Sequence, residues 1–380
     1  MRILYFSDNI SGHNQRFLRK LAASHNEVWF CDFSSSALPP NWLPPGIHPY
    51  YLAETLPRSS DPAEIAALAP EIRKMFVDVK PDLIHAGPVQ TCGYLIALAE
   101  CHPMLLTSWG SDLLLFPERG ETWRKATQVA IDAADGLFVD SRWVLETARR
   151  FAVIPEERVV RFPWGIEAGR FGPEGPRPSA HELRSEPGTF VFLCARSWEP
   201  LYGMDTLMEA FRAAHKRNKS LRLLLIGGGS QAEYIRKFIR QHGLEEVVRI
   251  LGLLDARHLP QWFRAADGYI SCAKGDGTSI SLLEAMATGL PVVVTDIPSN
   301  REWVAPGVNG WLAGDATAFA DSMLRVAALS VDERAAISDM NRNIVGERAD
   351  WDRNFPRLLA MYEFLRAHPK KALRTPTYSG

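Results

Sequence analysis

Apolar residues along this chain gather in short unbroken runs, set between longer stretches of mixed polarity. The first runs are Ile3–Phe6, Val28–Cys31, Leu83–Ala86, Leu105–Thr107 and Leu137–Val139. Each has the length of a strand and lacks the alternation of a sheet with one wet face. Each is therefore predicted as a strand covered on both sides. Gln15–Ala23 and Ile65–Val79 instead repeat apolar residues at helical spacing. Strands alternating with amphipathic helices specify a parallel sheet flanked by helices.

The rhythm breaks from Pro163 to Gly188, where P-W-G-I-E-A-G-R-F-G-P-E-G-P-R-P-S-A-H-E-L-R-S-E-P-G is dense in Pro and Gly. That composition predicts an exposed connection. The alternation then restarts, with strands expected at Phe190–Cys194, Leu221–Ile226, Val247–Leu251, Gly268–Ser271 and Pro291–Val294. Helices are expected near Asp205–Lys216, Gln231–His242, His258–Ala265 and Ser281–Thr288. The expectation is an α/β chain of two doubly wound, Rossmann-like domains facing across a cleft. The first is residues 1–170, the linker 171–188 and the second 189–350, followed by a helix and tail over 351–380. That helix is expected to pack back on the first domain, and the basic tail after Pro369 to fray. A chain of 380 residues also suits two cores better than one.

Composition narrows the function. With 43 basic and 44 acidic residues the net charge is −1, so the basic footprint of a nucleic-acid binder is missing. Cys31, Cys92, Cys101, Cys194 and Cys272 form no C-x-x-C pair, which predicts reduced thiols in the cytoplasm and no metal site. No apolar run approaches the ~18 residues of a membrane span. The start, M-R-I-L-Y-F-S-D, reads as a strand, not a signal peptide. Arg16, Arg19 and Lys20 form either a solvated helix face or a peripheral contact with anionic membrane.

Ligands of parallel sheets bind beyond the carboxyl ends of the strands, so the residues just after each strand carry the candidate chemistry. Arg196 follows one strand and is either a phosphate-gripping guanidinium or a surface arginine paired with Glu199. Gly227-x-Gly229-x-x-Ala232 fits a dinucleotide fingerprint or a plain glycine turn. The run G-D-G-T-S-I-S-L-L-E opens a helix with small residues between Asp276 and Glu284. A helix N-terminus carries roughly half a positive charge and takes phosphate, while flanking carboxylates accept from hydroxyls. That combination suits a nucleotide sugar. The alternatives are a capping box, Ser281-x-x-Glu284, and a turn-forming Asp276. Earlier in the chain, Gly12 could bring backbone N–H groups to a diphosphate, and His13 and Arg16 open the next helix. His85 is a packed residue or a catalyst, and Trp109 a core residue or a platform for a sugar ring.

These residues resemble a known family. The run S-C-A-K-G-D-G-T-S-I-S-L-L-E-A-M-A-T-G-L-P-V-V-V-T-D-I-P-S-N-R-E-W-V-A-P-G-V-N-G-W-L is similar to the signature of retaining glycosyltransferases of family 4, which have the GT-B fold. A-R-S-W-E-P-L-Y-G-M-D-T-L-M-E-A-F, L-L-L-I-G-G-G and V-R-I-L-G-L-L support it. The resemblance is strong over the second domain and loose over the first, through P-D-L-I-H-A-G and S-W-G-S-D.

The resemblance implies that Asp276 contacts donor-sugar hydroxyls, Glu284 holds the ribose and Arg196 grips the diphosphate. Gly277, Thr278, Ser279 and Ile280 would offer backbone contacts, with Gly228 and Leu253 completing the donor side. Two positions depart from the family. Tyr202 stands where a Lys is usual; as a donor-side residue its phenol can donate a hydrogen bond to phosphate but brings no charge, leaving Lys274 as either the source of the missing charge or a solvated surface lysine. Trp109 stands where a His is frequent, leaving His85 or His13 to compensate. Asp276, Arg196 and His85 are the catalytic candidates; His13, Arg16, Trp109 and Asp112 are those for the acceptor.

The implied activity is retaining transfer of a sugar from a UDP- or GDP-linked donor to a hydroxyl of a glycan, glycolipid or polysaccharide precursor. No cofactor or metal is expected. The rivals are a donor-binding protein without turnover, a glycoside hydrolase with paired carboxylates, and an NAD(P)-dependent oxidoreductase resting on Gly227.

Overall fold

The computed structural model describes residues 1–35, 37–57, 60–167, 169–178 and 188–370. It contains two parallel sheets. The first is built from β1 (Arg2–Ser7), β2 (Glu27–Asp32), β3 (Ile47–Tyr50), β4 (Leu83–Ala86), β5 (Met104–Thr107), β6 (Gly136–Val139) and β7 (Val159–Arg161). Its order is β3-β2-β1-β4-β5-β6-β7. The second contains β8 (Phe190–Ala195), β9 (Leu221–Ile226), β10 (Val248–Gly252), β11 (Gly268–Ser271), β12 (Val292–Thr295) and β13 (Gly310–Ala313). Its order is β10-β9-β8-β11-β12-β13.

Burial on both faces explains the unbroken apolar runs. Phe192 and Cys194 of β8, with Leu223 and Leu225 of β9, point into one apolar layer of the second sheet. Val191, Leu193, Leu224 and Ile226 point into the other. Every position in the run therefore leaves water, and each strand reads as continuous rather than alternating. The strands without such runs are β3, β7 and β13. All three stand at sheet edges, where one flank has no neighbour. In β3 only Ile47 is fully buried and Pro49 interrupts the pattern, as an edge strand tolerates.

The chain separates into two compact units, Met1–Phe162 together with the chain from Asn354 onward, and Pro163–Arg353. This corrects the expected boundaries. The Pro- and Gly-rich segment begins inside the second unit: Ile166 is fully buried in its core and Phe171 is 3% exposed. The Phe171 and Phe263 ring centroids lie 5.5 Å apart. Arg264 bonds the carbonyl oxygens of Gly172 and Arg170. Phe171 and Gly172 are therefore packed chain rather than linker, whereas residues 174–177 are exposed as a connection should be; the rest of the expected linker, 179–187, lies outside the described residues, as does the tail beyond 370.

The last helix, Trp351–Ala367, begins in the second unit and returns to the first. Trp351 packs where a Cβ on Gly165 would lie, and Leu365 does the same at Gly136. All five cysteines are buried and unpaired. Among the described residues, no helix is long and apolar enough to cross a membrane.

Candidate functional site

In the second sheet β8 is flanked by β9 and β11, so the connections leaving β8 and β11 diverge at their carboxyl ends. A sheet of this kind opens a binding crevice there. Arg196 is the first residue after β8, and Cys272 to Ser279 is the chain after β11. Arg196 Nη2 donates to Asp276 Oδ2 at 2.5 Å. Its Nη1 donates to Ser279 Oγ at 2.6 Å and Ser281 Oγ at 3.3 Å. The guanidinium carbon lies 4.4 Å from the Tyr202 ring centroid. Arg196 is 9% exposed along its side chain and Asp276 22%. Burial disfavours the guanidinium charge, but the Asp276 carboxylate, with Tyr269 and Tyr202, more than offsets it and raises the pKa. The pair is thus a partly dry ion pair.

The surrounding loops hold this arrangement, and glycine makes them possible. A Cβ on Gly227, whose φ is +144°, would lie 2.0 Å from the Arg196 carbonyl oxygen. One on Gly203, at φ +63°, would lie 2.1 Å from the Cys272 carbonyl oxygen. The Gly227–Gly229 turn is therefore spent on packing against the loop after β8, which displaces the dinucleotide-fingerprint reading. Arg196 does not pair with Glu199. That carboxylate accepts from the backbone N–H and hydroxyl of Ser230. Lys274, either the source of the missing charge or a solvated surface lysine, reaches Asp205 at 3.3 Å and is half exposed, as the second alternative has it. Leu253, just after β10, is 83% exposed. Its Cγ lies 3.2 Å from where a Cβ on Gly228 would be, so these two expected donor-side residues are neighbours.

The helix opening at this crevice is Ile280–Thr288, capped by Ser279, whose Oγ accepts from Leu282 N. The alternative capping box, Ser281 with Glu284, does not form. Ser281 lies within the helix, and its hydroxyl pairs with Arg196 and with Tyr269 at 2.7 Å. The geometry such a box needs occurs elsewhere, at Ser330 and Glu333 before the helix Val331–Arg348. Glu284 is 7% exposed and Thr278 and Ser279 are each 5%. Ser281 and Tyr269 are site residues that sequence reasoning missed. Their link to Arg196 depends on strand order, which no local pattern reports.

In the first unit, Ser11 caps the helix Gly12–Ala22. Gly12 is exposed, and a Cβ added to it would meet nothing within 4 Å. His13 lies beside Trp109, with ring centroids 6.2 Å apart, and Arg16 is half-buried on the same helix. Two expectations fail here. Asp112 is 1% exposed. Its carboxylate accepts from Ser108 Oγ and from the N–H groups of Val89, Trp109 and Leu113. Burial pushes its pKa up to about 6 against those hydrogen bonds. It braces the loop rather than facing an acceptor.

His85 is likewise not placed for catalysis. It is 1% exposed, with one ring nitrogen on the Tyr362 hydroxyl and the other on Thr107 Oγ1. Burial pushes its pKa down to about 3. An unfolded histidine titrates near ~6.5, so over the interval between, the unfolded chain holds a proton that the folded chain does not. His85 therefore costs stability as pH falls through that window. The urea midpoint of the first unit is expected to drop between about pH 7 and about pH 4.5, and His85→Gln to shallow that drop. An unchanged slope in the variant would refute the assignment.

A guanidinium, a carboxylate and a helix N-terminus thus meet at the switch point of a doubly wound sheet, an arrangement chemically able to take an anion and hydroxyls. Residues 188–328 match the family model Glycosyl transferases group 1, and residues 2–141 match Glycosyl transferase 4-like. The chain belongs to the group 1 glycosyltransferases of family 4. It is 31% identical over 218 residues to the D-inositol 3-phosphate glycosyltransferase of Actinosynnema mirum, covering 54% of this chain and 51% of that protein. It is 31% identical over 192 residues to the phosphatidyl-myo-inositol mannosyltransferase of Mycobacterium leprae, covering 49% and 50%. The chain thus spans about half the length of the curated relatives it matches.

Among solved structures, sucrose-phosphate synthase of Thermosynechococcus elongatus superposes with a TM-score of 0.80 at 18% identity, over 97% of this chain and 100% of that one. Anabaena HepE, in complex with UDP and glucose, gives 0.76 at 19%, over 96% and 99%. At these identities the likeness is one of fold, and the fold is GT-B.

Proposed function

We propose that the protein is a retaining glycosyltransferase that moves a sugar from a UDP- or GDP-linked donor to a hydroxyl acceptor. The observation that carries this reading is the Arg196–Asp276–Ser279 cluster at the second sheet's switch point. A guanidinium has five N–H donors. Three hydrogen bonds are made within the protein, and the buried Nε has no acceptor. Capacity for a phosphate oxygen therefore remains. The bond from the anomeric carbon to the diphosphate oxygen breaks, and negative charge grows on the leaving group. Arg196 and the N–H groups at the start of helix Ile280–Thr288 oppose that charge. The acceptor oxygen bonds the same face of the sugar, and its proton passes to the departing phosphate. Asp276 and Glu284 serve as acceptors for sugar and ribose hydroxyls rather than as an acid/base pair.

The solved HepE complex, which holds UDP and glucose in a like fold, favours this donor class. The relatives' names favour a polyol or lipid-headgroup acceptor. The reading places the protein in the cytoplasm, in peripheral contact with membrane where the acceptor is lipid-linked. It requires no metal, so turnover is expected to survive EDTA. A panel of UDP- and GDP-sugars, followed by release of free nucleoside diphosphate, is the direct test. Neither binding nor release with any donor would sink the reading, and binding without release favours the non-transferring rival.

Gly12 gives a separate test. No neighbour in the structure requires a glycine there. Gly12→Ala is expected to keep the melting temperature, since the added Cβ would meet nothing within 4 Å at this first helical position. Turnover is expected to fall, assigning the position to substrate. Unchanged turnover would remove Gly12 from the donor set.

A further inference from the structure

The structure gives the side chain of Tyr202 a definite place beside Arg196. Tyr202 ends a short turn, Pro200–Tyr202, fixed from both sides. Lys274 N donates to the Leu201 carbonyl oxygen at 2.8 Å, and Tyr202 N to the Glu199 carbonyl oxygen at 2.8 Å. The following Gly203 adopts φ +63° and approaches the Cys272 carbonyl so closely that a Cβ would lie 2.1 Å from its oxygen. The turn is thereby anchored to the chain that leads into Asp276. From it the phenol ring faces the Arg196 guanidinium, 4.4 Å from centroid to carbon. The guanidinium edge meanwhile bonds Asp276, Ser279 and Ser281.

Hydrogen bonds along its edge orient a guanidinium, and a ring against one face further restricts its motion. The polar groups hold the edge, and the ring supplies the face. An aromatic face attracts a cation by its quadrupole and adds no charge of its own.

We propose that Tyr202 is a positioning residue for donor binding, acting through Arg196 by its ring face and not through its hydroxyl. This rests on the donor-binding reading above. Preorganising the one guanidinium lowers the cost of aligning its donors with the diphosphate.

The test is a double-mutant cycle on the full chain. UDP, GDP and ADP are titrated into the wild type by calorimetry, and the tightest binder is used throughout. Tyr202→Phe should bind within about twofold of wild type, since the ring is kept. Tyr202→Leu should weaken binding by about tenfold, within the range of a partly desolvated cation–π contact. In an Arg196→Ala background Tyr202→Leu should change little further, because its effect passes through the guanidinium. With the sugar donor, Tyr202→Leu should raise KM more than it lowers kcat.

A loss in Tyr202→Phe equal to that in Tyr202→Leu would overturn the proposal in favour of a hydroxyl contact. Additive losses in the double mutant would overturn it in favour of independent roles. Where Tyr202→Leu fails to fold, Tyr202→Phe and Tyr202→Trp carry the test, both expected to bind like wild type. If the wild type binds none of the three nucleotides, the donor-binding reading itself fails. If Arg196→Ala abolishes binding while Tyr202→Leu leaves it intact, only the present proposal fails.

Discussion

Arg196→Ala is expected to lower kcat/KM by about 10²–10³-fold, the loss found when one preorganised donor to a developing anion is removed. The geometry gives the reason. Arg196 touches three side chains that line the start of helix Ile280–Thr288, so its removal frees Asp276 and Ser279 as well as deleting a charge. Asp276 is left without its guanidinium. A fully buried carboxylate in that state costs about 3–5 kcal/mol, but one with 22% exposure keeps some water, and about 2 kcal/mol is expected. Donor binding should fall and the second unit should melt a few degrees lower.

Arg196→Lys should recover little, because an ammonium is a point charge without the planar fork that bridges Asp276 and Ser279. Arg257→Ala is the control. Arg257 also pairs with an aspartate, but its side chain is 81% exposed, and such pairs contribute little. Calorimetry with the donor and steady-state kinetics check the set. Retained donor binding in Arg196→Ala would place the phosphate elsewhere.

The second large effect is expected on stability. Gly227→Ala would put a Cβ 2.0 Å from the Arg196 carbonyl oxygen and 2.9 Å from Trp198 Nε1, at φ +144°. Neither strand of chain can give way easily. Gly227 N bonds the Gly252 carbonyl oxygen at 2.9 Å, Arg196 N bonds that of Ile226 at 3.2 Å, and Trp198 N bonds that of Gly228 at 2.8 Å. Backbone strain and the displaced loop together should cost about 3 kcal/mol or more. For a unit of this size that lowers the melting temperature by roughly 6–12 °C.

Gly228→Ala, in the same triplet, should be tolerated. The three atoms nearest its Cβ would all belong to the Leu253 side chain, from 3.2 Å, and that side chain is exposed enough to move. A thermal scan of the two variants is decisive: equal melting temperatures would show that the triplet is not held by packing.

These outcomes bear on what the sequence could tell. Gly227 and Gly229 were visible as a dinucleotide fingerprint or a plain glycine turn, and the structure spends Gly227 on a close approach to Arg196. Ser281 and Glu284 matched a capping box locally, yet the helix starts two residues too early for it, with Ser279 as the cap. The expected linker from 171 failed because composition reports exposure on average. Ile166 and Phe171, two apolar residues among the prolines and glycines, are what bind that segment to the second core. Asp276 and Arg196 are brought together as expected of site residues, although neither their direct bond nor the Tyr202 face beneath Arg196 was foreseen.

The sequence by itself determined the strands buried on both faces, the helices between them and the class, but not the edge strands β3, β7 and β13. Runs of consecutive apolar residues are recorded locally, and burial on both faces of a parallel sheet forces them to be unbroken. Small residues opening a helix after a strand are also local, as is the family signature. Only the tertiary structure decided who meets whom. Arg196 reaches Asp276 across 80 positions, and His85 reaches Tyr362 across 277. Those meetings follow from the order β10-β9-β8-β11 in one sheet and from the return of the last helix to the other unit. The same histidine is a catalyst or a core residue according to what packs over it. That covering lies at the far end of the chain, where no nearby residue records it.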